Sequence, residues 1–182
     1  SGYRYLLEDL KPTLHPWRAA TLLYIAEGYF RQGLYDEAMK IYRDVLKIYS
    51  ASPESAFAVD GLAWTTFKKS EFEASEKWRE KIDEYKTRPL VLESKTILQE
   101  GKLPEDLFTT NDFEWATVRF NQKKYLKALE SYEAFESKFP EHPLAILAAL
   151  QMGWCAYRLE YYGQAIKIWE KLEQNHPNTP EA

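Results

Sequence analysis

HPWRAATLLYIAEGYFRQGLYDEAMKIYRDVLKIYSASPES, residues 15–55, superposes without a gap on HPLAILAALQMGWCAYRLEYYGQAIKIWEKLEQNHPNTPEA, residues 142–182. Ten of the 41 positions are identical across this 127-residue step: His15-Pro16 on His142-Pro143, Leu23 on Leu150, Arg31 on Arg158, Tyr35 on Tyr162, Ala38 on Ala165, Lys40-Ile41 on Lys167-Ile168, and Pro53-Glu54 on Pro180-Glu181. Self-similarity of this kind marks a repeat architecture. Inside each copy, apolar residues recur at three-and-four spacing on both sides of a short polar break, the pattern of two amphipathic helices. Leu22, Ile25, Ala26 and Tyr29 form one face; Gln32-Gly33 interrupts it; Ala38, Tyr42, Val45, Leu46 and Tyr49 form the next. The last copy repeats this through Ala149, Met152, Gly153 and Ala156, then Ala165, Trp169 and Leu172, and closes at Pro177. Proline cannot continue the helical hydrogen-bond ladder, so the unit stops there.

Two weaker copies lie between. In residues 53–85, Val59, Leu62, Ala63 and Thr66 precede Phe72, Ala74, Trp78, Ile82 and Tyr85; in residues 111–140, Trp115, Ala116 and Arg119 precede Tyr125, Ala128, Tyr132, Phe135 and the closing Phe139-Pro140. The small residue of each second helix then advances through Ala38, Ala74, Ala128 and Ala165, in steps of 36, 54 and 37, with the second unit one residue early. At these crossings a larger side chain would push two helices apart, at roughly 1–3 kcal/mol.

On these residues the units resemble tetratricopeptide repeats: Tyr35-Asp36-Glu37-Ala38 with Tyr42, Tyr125 with Ala128, Tyr132 and Pro140, and Gly153 with Tyr162, Ala165, Trp169 and Pro177. The second unit, with Glu71-Phe72-Glu73-Ala74 out of step and no closing proline before Pro89, departs from the pattern. The resemblance implies an all-α, right-handed superhelical solenoid of about four helix pairs, with one extra helix between pairs two and three. The turns 49–54, 139–144 and 176–182 are similar to those of bacterial envelope repeat proteins, the outer-membrane assembly lipoproteins and Tol-Pal proteins. That likeness implies a periplasmic or envelope-associated scaffold, with the cytoplasm as the alternative.

Organisation follows from the units. Residues 1–16 read as the end of a preceding repeat, 17–87 as units one and two, 88–111 as an insert helix with its linker, and 112–182 as units three and four of a longer array. Within the insert, Leu90, Leu92, Ile97 and Leu98 make an amphipathic face that Gly101 ends. It is expected to be a spacer that alters curvature, or else a private binding element.

Composition sets limits on function. The 182 residues are 45% hydrophobic and 29% charged, enough apolar content for a sizeable core. Net charge is −4, and the 24 Lys and Arg never form a block of five, so the clustered basic face that nucleic-acid binding requires is missing. The uncharged run between Glu141 and Arg158 holds Pro143, Gln151 and Gly153, too short and polar for a membrane span. One cysteine, Cys155, leaves no internal disulfide and no cysteine-based zinc site. His15, His142 and His176 are scattered before prolines, and no phosphate loop, nucleophile elbow or His-Glu-x-x-His pair is present. Carboxylate pairs such as Glu76 with Glu80 and Glu170 with Glu173 read as solvated helix faces. No catalysis, cofactor or metal is expected.

In solenoids of this resemblance the first helices line the concave surface. Their inward positions carry an aromatic in every unit, Phe30, Phe67, Phe120 and Tyr157, preceded one turn earlier by Glu27, Trp64, Thr117 and Trp154 and followed at once by Arg31, Lys68, Asn121 and Arg158. The expected partner-binding set is Phe30, Arg31, Trp64, Phe67, Lys68, Phe120, Trp154, Tyr157 and Arg158: an aromatic groove docking a segment of another protein or peptide, with a basic margin of Arg31, Lys68 and Arg158 suited to an acidic segment or a C-terminal carboxylate. An aromatic at this place also serves as scaffold. The alternatives are self-association through repeat ends or the insert helix, and an accessory region of a larger enzyme.

Overall fold

The computed structural model describes residues 18–89 and 103–177, and among them every regular element is helical. Eight α-helices form four pairs: α1 (Arg18–Arg31) with α2 (Tyr35–Ile48), α3 (Glu54–Lys68) with α4 (Phe72–Asp83), α5 (Glu105–Asn121) with α6 (Tyr125–Lys138), and α7 (Leu144–Arg158) with α8 (Tyr162–Asn175). A short 3-10 turn, Glu84–Lys86, extends α4. Each helix packs on the next, and α1 also meets α3 as α5 meets α7, so within each half of the array the two first helices lie side by side. The preceding repeat end at 3–10 and, apart from Pro89, the expected insert helix at 89–101 fall outside the described residues. Within the 88–111 stretch, α5 already begins at Glu105, just after Pro104, ahead of the Asn111 where the repeat comparison starts the third unit.

Prolines set the starts: Pro53, Pro104 and Pro143 immediately precede α3, α5 and α7, where a missing N–H costs nothing. The turn between the helices of a pair is the same four times over. Gly33, Ser70, Lys123 and Glu160 all have φ between 61° and 76°. In each case this left-handed residue donates its N–H three residues back, Gly33 to Phe30 and Glu160 to Tyr157, while the following N–H reaches five back, Leu34 to Tyr29 and Tyr161 to Ala156. Only the first unit uses glycine. Gly33→Ala is therefore expected to cost about 1 kcal/mol, and Glu160→Gly to gain roughly 0.5 kcal/mol. Urea unfolding of the two variants measures both, and equal stability would show that the turns do not hold this conformation in solution.

At the helix crossings the structure corrects the second unit. Ala74 is only half-buried, whereas Ser75 is fully buried and donates its hydroxyl to the Ala63 carbonyl at 2.8 Å. The crossing residues are thus Ala38, Ser75, Ala128 and Ala165, in steps of 37, 53 and 37. Unit two is in register; a serine whose hydroxyl is bonded replaces alanine there and hides the match.

The core gathers in three clusters. Leu22, Ile41, Tyr42, Val45 and Leu62 join units one and two, Val59, Ile82 and Tyr85 lie towards α5, and Ala116, Tyr132, Phe135 and Cys155 join units three and four. Burial pushes the Cys155 thiol up to about 12, as suits a packed helix residue rather than a nucleophile. His142 is a turn residue: its Nδ1 accepts the Leu144 N–H at 3.1 Å and its Nε2 meets Asp106 at 3.1 Å.

Candidate functional site

One contact recurs in all four units and organises the inner surface. The second-helix position occupied by Tyr42, Arg79, Tyr132 and Trp169 meets the first-helix residue fifteen positions earlier. The Tyr42 hydroxyl donates to Glu27 at 3.2 Å, the Tyr132 hydroxyl shares a hydrogen with Thr117 at 3.0 Å, the Trp169 ring meets Trp154 at 5.3 Å, and the Arg79 guanidinium lies over Trp64 at 5.1 Å. Three of these residues are aromatic and one is a cation. The residues expected to face a partner one turn before the groove aromatics therefore also brace their own second helix.

Arg79 is the residue that reading the sequence missed. It is fully buried, where unpaired arginine is rarely found. Its Nη1 bonds Glu114, donates to Asn111 Oδ1 at 3.2 Å and lies 3.6 Å from Asp60. Asn111 returns a bond from Nδ2 to the Arg79 carbonyl at 3.3 Å. Since Asp60 and Arg79 belong to unit two and Asn111 and Glu114 to unit three, the cluster bolts the two halves of the array together across the insert. Burial is the largest influence on both carboxylates and raises their affinity for a proton; Arg79 opposes this without cancelling it, because one guanidinium serves two acids. The available signal was positional: at the corrected steps of 37, 53 and 37, Arg79 falls where the other units have Tyr42, Tyr132 and Trp169.

Beside this cluster, Glu76 is not the solvated carboxylate expected of it. It accepts from Gln122 at 3.1 Å, from the Trp115 indole at 3.4 Å and from Lys124 at 3.4 Å, again across the junction of units two and three. Burial works to raise its pKa, but these bonds together outweigh it and lower the value. Glu170 and Glu173 are exposed as expected.

The four groove aromatics do occupy equivalent places, and each also clamps its own turn. Phe30 meets Tyr35 at 5.7 Å, Phe67 meets Phe72 at 5.6 Å, Phe120 meets Tyr125 and Tyr157 meets Tyr162, both at 5.4 Å. Phe30, Phe67 and Phe120 are half-buried in consequence, while Tyr157 is 45% exposed. Trp154 is 42% exposed and edges onto Tyr157 at 5.9 Å, with exposed Arg158 beside it. Trp64 is half-buried against Phe67 and Arg79. At the first member of the basic margin, Arg31 Nε is 2.8 Å from Glu27, one turn back on the same helix, in an exposed ion pair.

Two separate surfaces result. At the far end Trp154, Tyr157 and Arg158 make an open aromatic patch on α7. Between α1 and α3 lies a concave pocket of about 450 Å³ that brings Phe30, Trp64 and Lys68 together with Tyr24, Phe57, Glu27 and Asp60 over the Tyr42 ring. Among the described residues no group of three or more His, Cys, Asp or Glu is placed to hold a metal ion, and no helix is long and apolar enough to cross a membrane.

The tetratricopeptide repeat family model matches residues 20–52 and 147–179. No curated protein sequence matches the chain. Among solved structures, the crystal structure of the MamA protein is similar at a TM-score of 0.63 and 17% identity, covering 87% of this chain and 73% of that one. A Podosopora anserina kinesin-light-chain-type protein with nearly identical TPR-like repeats gives 0.71 at 16% identity, covering 98% and 84%. The apo form of RapI gives 0.74 at 13% identity, covering 98% of this chain and 47% of its own. At such identities the likeness is one of fold, and nothing in it supports the envelope-type turns. By sequence the segments 20–52 and 147–179 are similar to tetratricopeptide repeats, and among the described residues the chain has the all-helical fold of the tetratricopeptide-type solenoids.

Proposed function

We propose that the inner face of α1, α3, α5 and α7 is a non-catalytic docking surface for a segment of another protein. Tetratricopeptide repeats generally mediate protein–protein interaction. The observation that supports the reading most directly here is the α7 patch, where two large rings, Trp154 and Tyr157, stay more than 40% exposed on an inner helix. A half-exposed tryptophan beside an arginine is the usual composition of an interface hot spot, worth about 2 kcal/mol or more when truncated.

The test is a selection of displayed random peptides on the wild-type chain, followed by binding to a Trp154→Ala/Tyr157→Ala/Arg158→Ala variant confirmed folded by circular dichroism. Trp64 is left intact because its ring also covers Arg79. Selected peptides should lose about 30-fold or more in affinity for the variant. Peptides held equally by both chains, or none selected, would overturn the docking reading.

Self-association is the second reading, favoured by Tyr162 and Ile166, each 53% exposed on α8. It predicts a mass that rises with concentration in sedimentation, and a fall to the monomer in Tyr162→Lys/Ile166→Lys.

A further inference from the structure

We infer that the pocket between α1 and α3 takes the basic side chain, lysine or arginine, of the docked segment, holding its charge between the Glu27 and Asp60 carboxylates against aromatic rings. This rests on the docking reading above and adds what one of its subsites recognises. It also reverses the sign expected from the sequence, which was an acidic partner gripped by a basic margin.

Ring faces carry negative potential and attract cations, and Tyr24, Phe30, Phe57 and Trp64 all line this pocket. Two carboxylates line it as well. Glu27 accepts from the Tyr42 hydroxyl at 3.2 Å and from the exposed Arg31 at 2.8 Å. Asp60 is the less satisfied of the two, since among the described residues it accepts no hydrogen bond and its nearest cation, Arg79, stands 3.6 Å away while bonding Glu114 more closely. One buried guanidinium thus faces two acids, and Asp60 borders the cavity with an unmet demand for positive charge. Burial already pushes Asp60 towards its protonated form, opposed by Arg79 and reinforced by the nearby Glu27 charge. An incoming ammonium or guanidinium would relieve both. A neutral aliphatic side chain would strip water from two carboxylates without replacing their bonds, and an acidic one would be repelled. Lys68 shares the pocket's edge, but it is exposed and its long stem lets the ammonium turn to solvent.

The experiment titrates the ¹⁵N-labelled chain with the host peptide acetyl-Gly-Leu-Xaa-Leu-Gly-amide, Xaa being Lys, Arg, norleucine or Glu. The Trp64 indole N–H, assigned with Trp64→Phe, is the reporter. The Lys and Arg peptides should move this resonance and bind about tenfold more tightly than norleucine, with the advantage shrinking as salt is added. Glu27→Gln keeps a hydrogen-bond acceptor for Tyr42, and it should cut the Lys-over-norleucine preference at least about threefold. Asp60→Asn should do the same, and Lys68→Gln should enlarge the preference. Equal binding of norleucine or Glu peptides, no response at Trp64 to any of them, or an unchanged preference in Glu27→Gln would overturn the inference. Those failures leave the α7 result untouched, and peptides indifferent to the α7 variant would sink the docking reading while the charge preference at Trp64 could still be measured.

Discussion

Arg79→Ala is expected to destabilise the chain by about 3–5 kcal/mol, the cost of leaving two partly buried carboxylates without their fully buried cation. Glu114 and Asp60 face Arg79 from two different units, so the loss falls on the junction between the halves of the array rather than on α4 alone. The effect should depend on pH. In the wild type, burial raises Asp60 to about 6 and Glu114 to about 7. A folded state that holds protons more tightly than the unfolded chain has a stability contribution that is complete below the ordinary carboxylate range near 4 and is lost as pH rises through those raised values. Without Arg79 both acids hold their protons harder still, so the variant's deficit should be smaller at pH 5 than at pH 7.5. Urea denaturation at the two pH values measures this. A deficit under about 1 kcal/mol at pH 7.5 would mean that the cluster is hydrated rather than buried.

A rescue sharpens the argument. Tyr42 packs on Gly61 nineteen residues later, and Arg79 meets Glu114 at the same place in the next junction once the 16 extra residues between units two and three are allowed for. Arg79→Tyr/Glu114→Gly therefore copies the first junction into the second. Replacing a buried ion pair by packed apolar groups is often neutral, so the double variant should recover the part of the loss that falls on Glu114, while Asp60 still lacks its cation.

Gly153→Ala should cost about 1–3 kcal/mol through overpacking. A methyl group there would lie 2.0 Å from the Trp169 Nε1 and 2.4 Å from its Cε2, and the ring is fixed by the bond from its N–H to the Leu150 carbonyl at 3.3 Å. A flat indole wedged between Trp154 and α7 cannot give way as the end of a flexible chain would. The first unit solves the same crossing with the other pairing, since Ala26 and Tyr42 stand at the positions of Gly153 and Trp169 across the 127-residue step. Gly153→Ala/Trp169→Tyr should then regain at least half of the lost stability in thermal or urea unfolding. Additive losses in the double variant would show that the indole and the glycine are not matched in size.

What the sequence determined by itself is the periodic part. The gapless match of 15–55 on 142–182, Ala38 and Ala165 at the helix crossings, and the aromatic at 30, 67, 120 and 157 are consequences of local spacing, and helix pairs follow from local spacing. Tertiary structure decided whatever depends on which side chain ends up opposite which. Ser75 rather than Ala74 at the crossing of unit two could be recognised only when its hydroxyl was seen to find the Ala63 carbonyl. Arg31 looked like a free cation until its partner Glu27 was in place. Arg79, Asp60 and Glu114 each resemble ordinary surface charges of an amphipathic helix, and they become a buried cluster because residues 35 positions apart in the chain are stacked face to face. Burial of a charge is set by that stacking, which no spacing within one helix encodes.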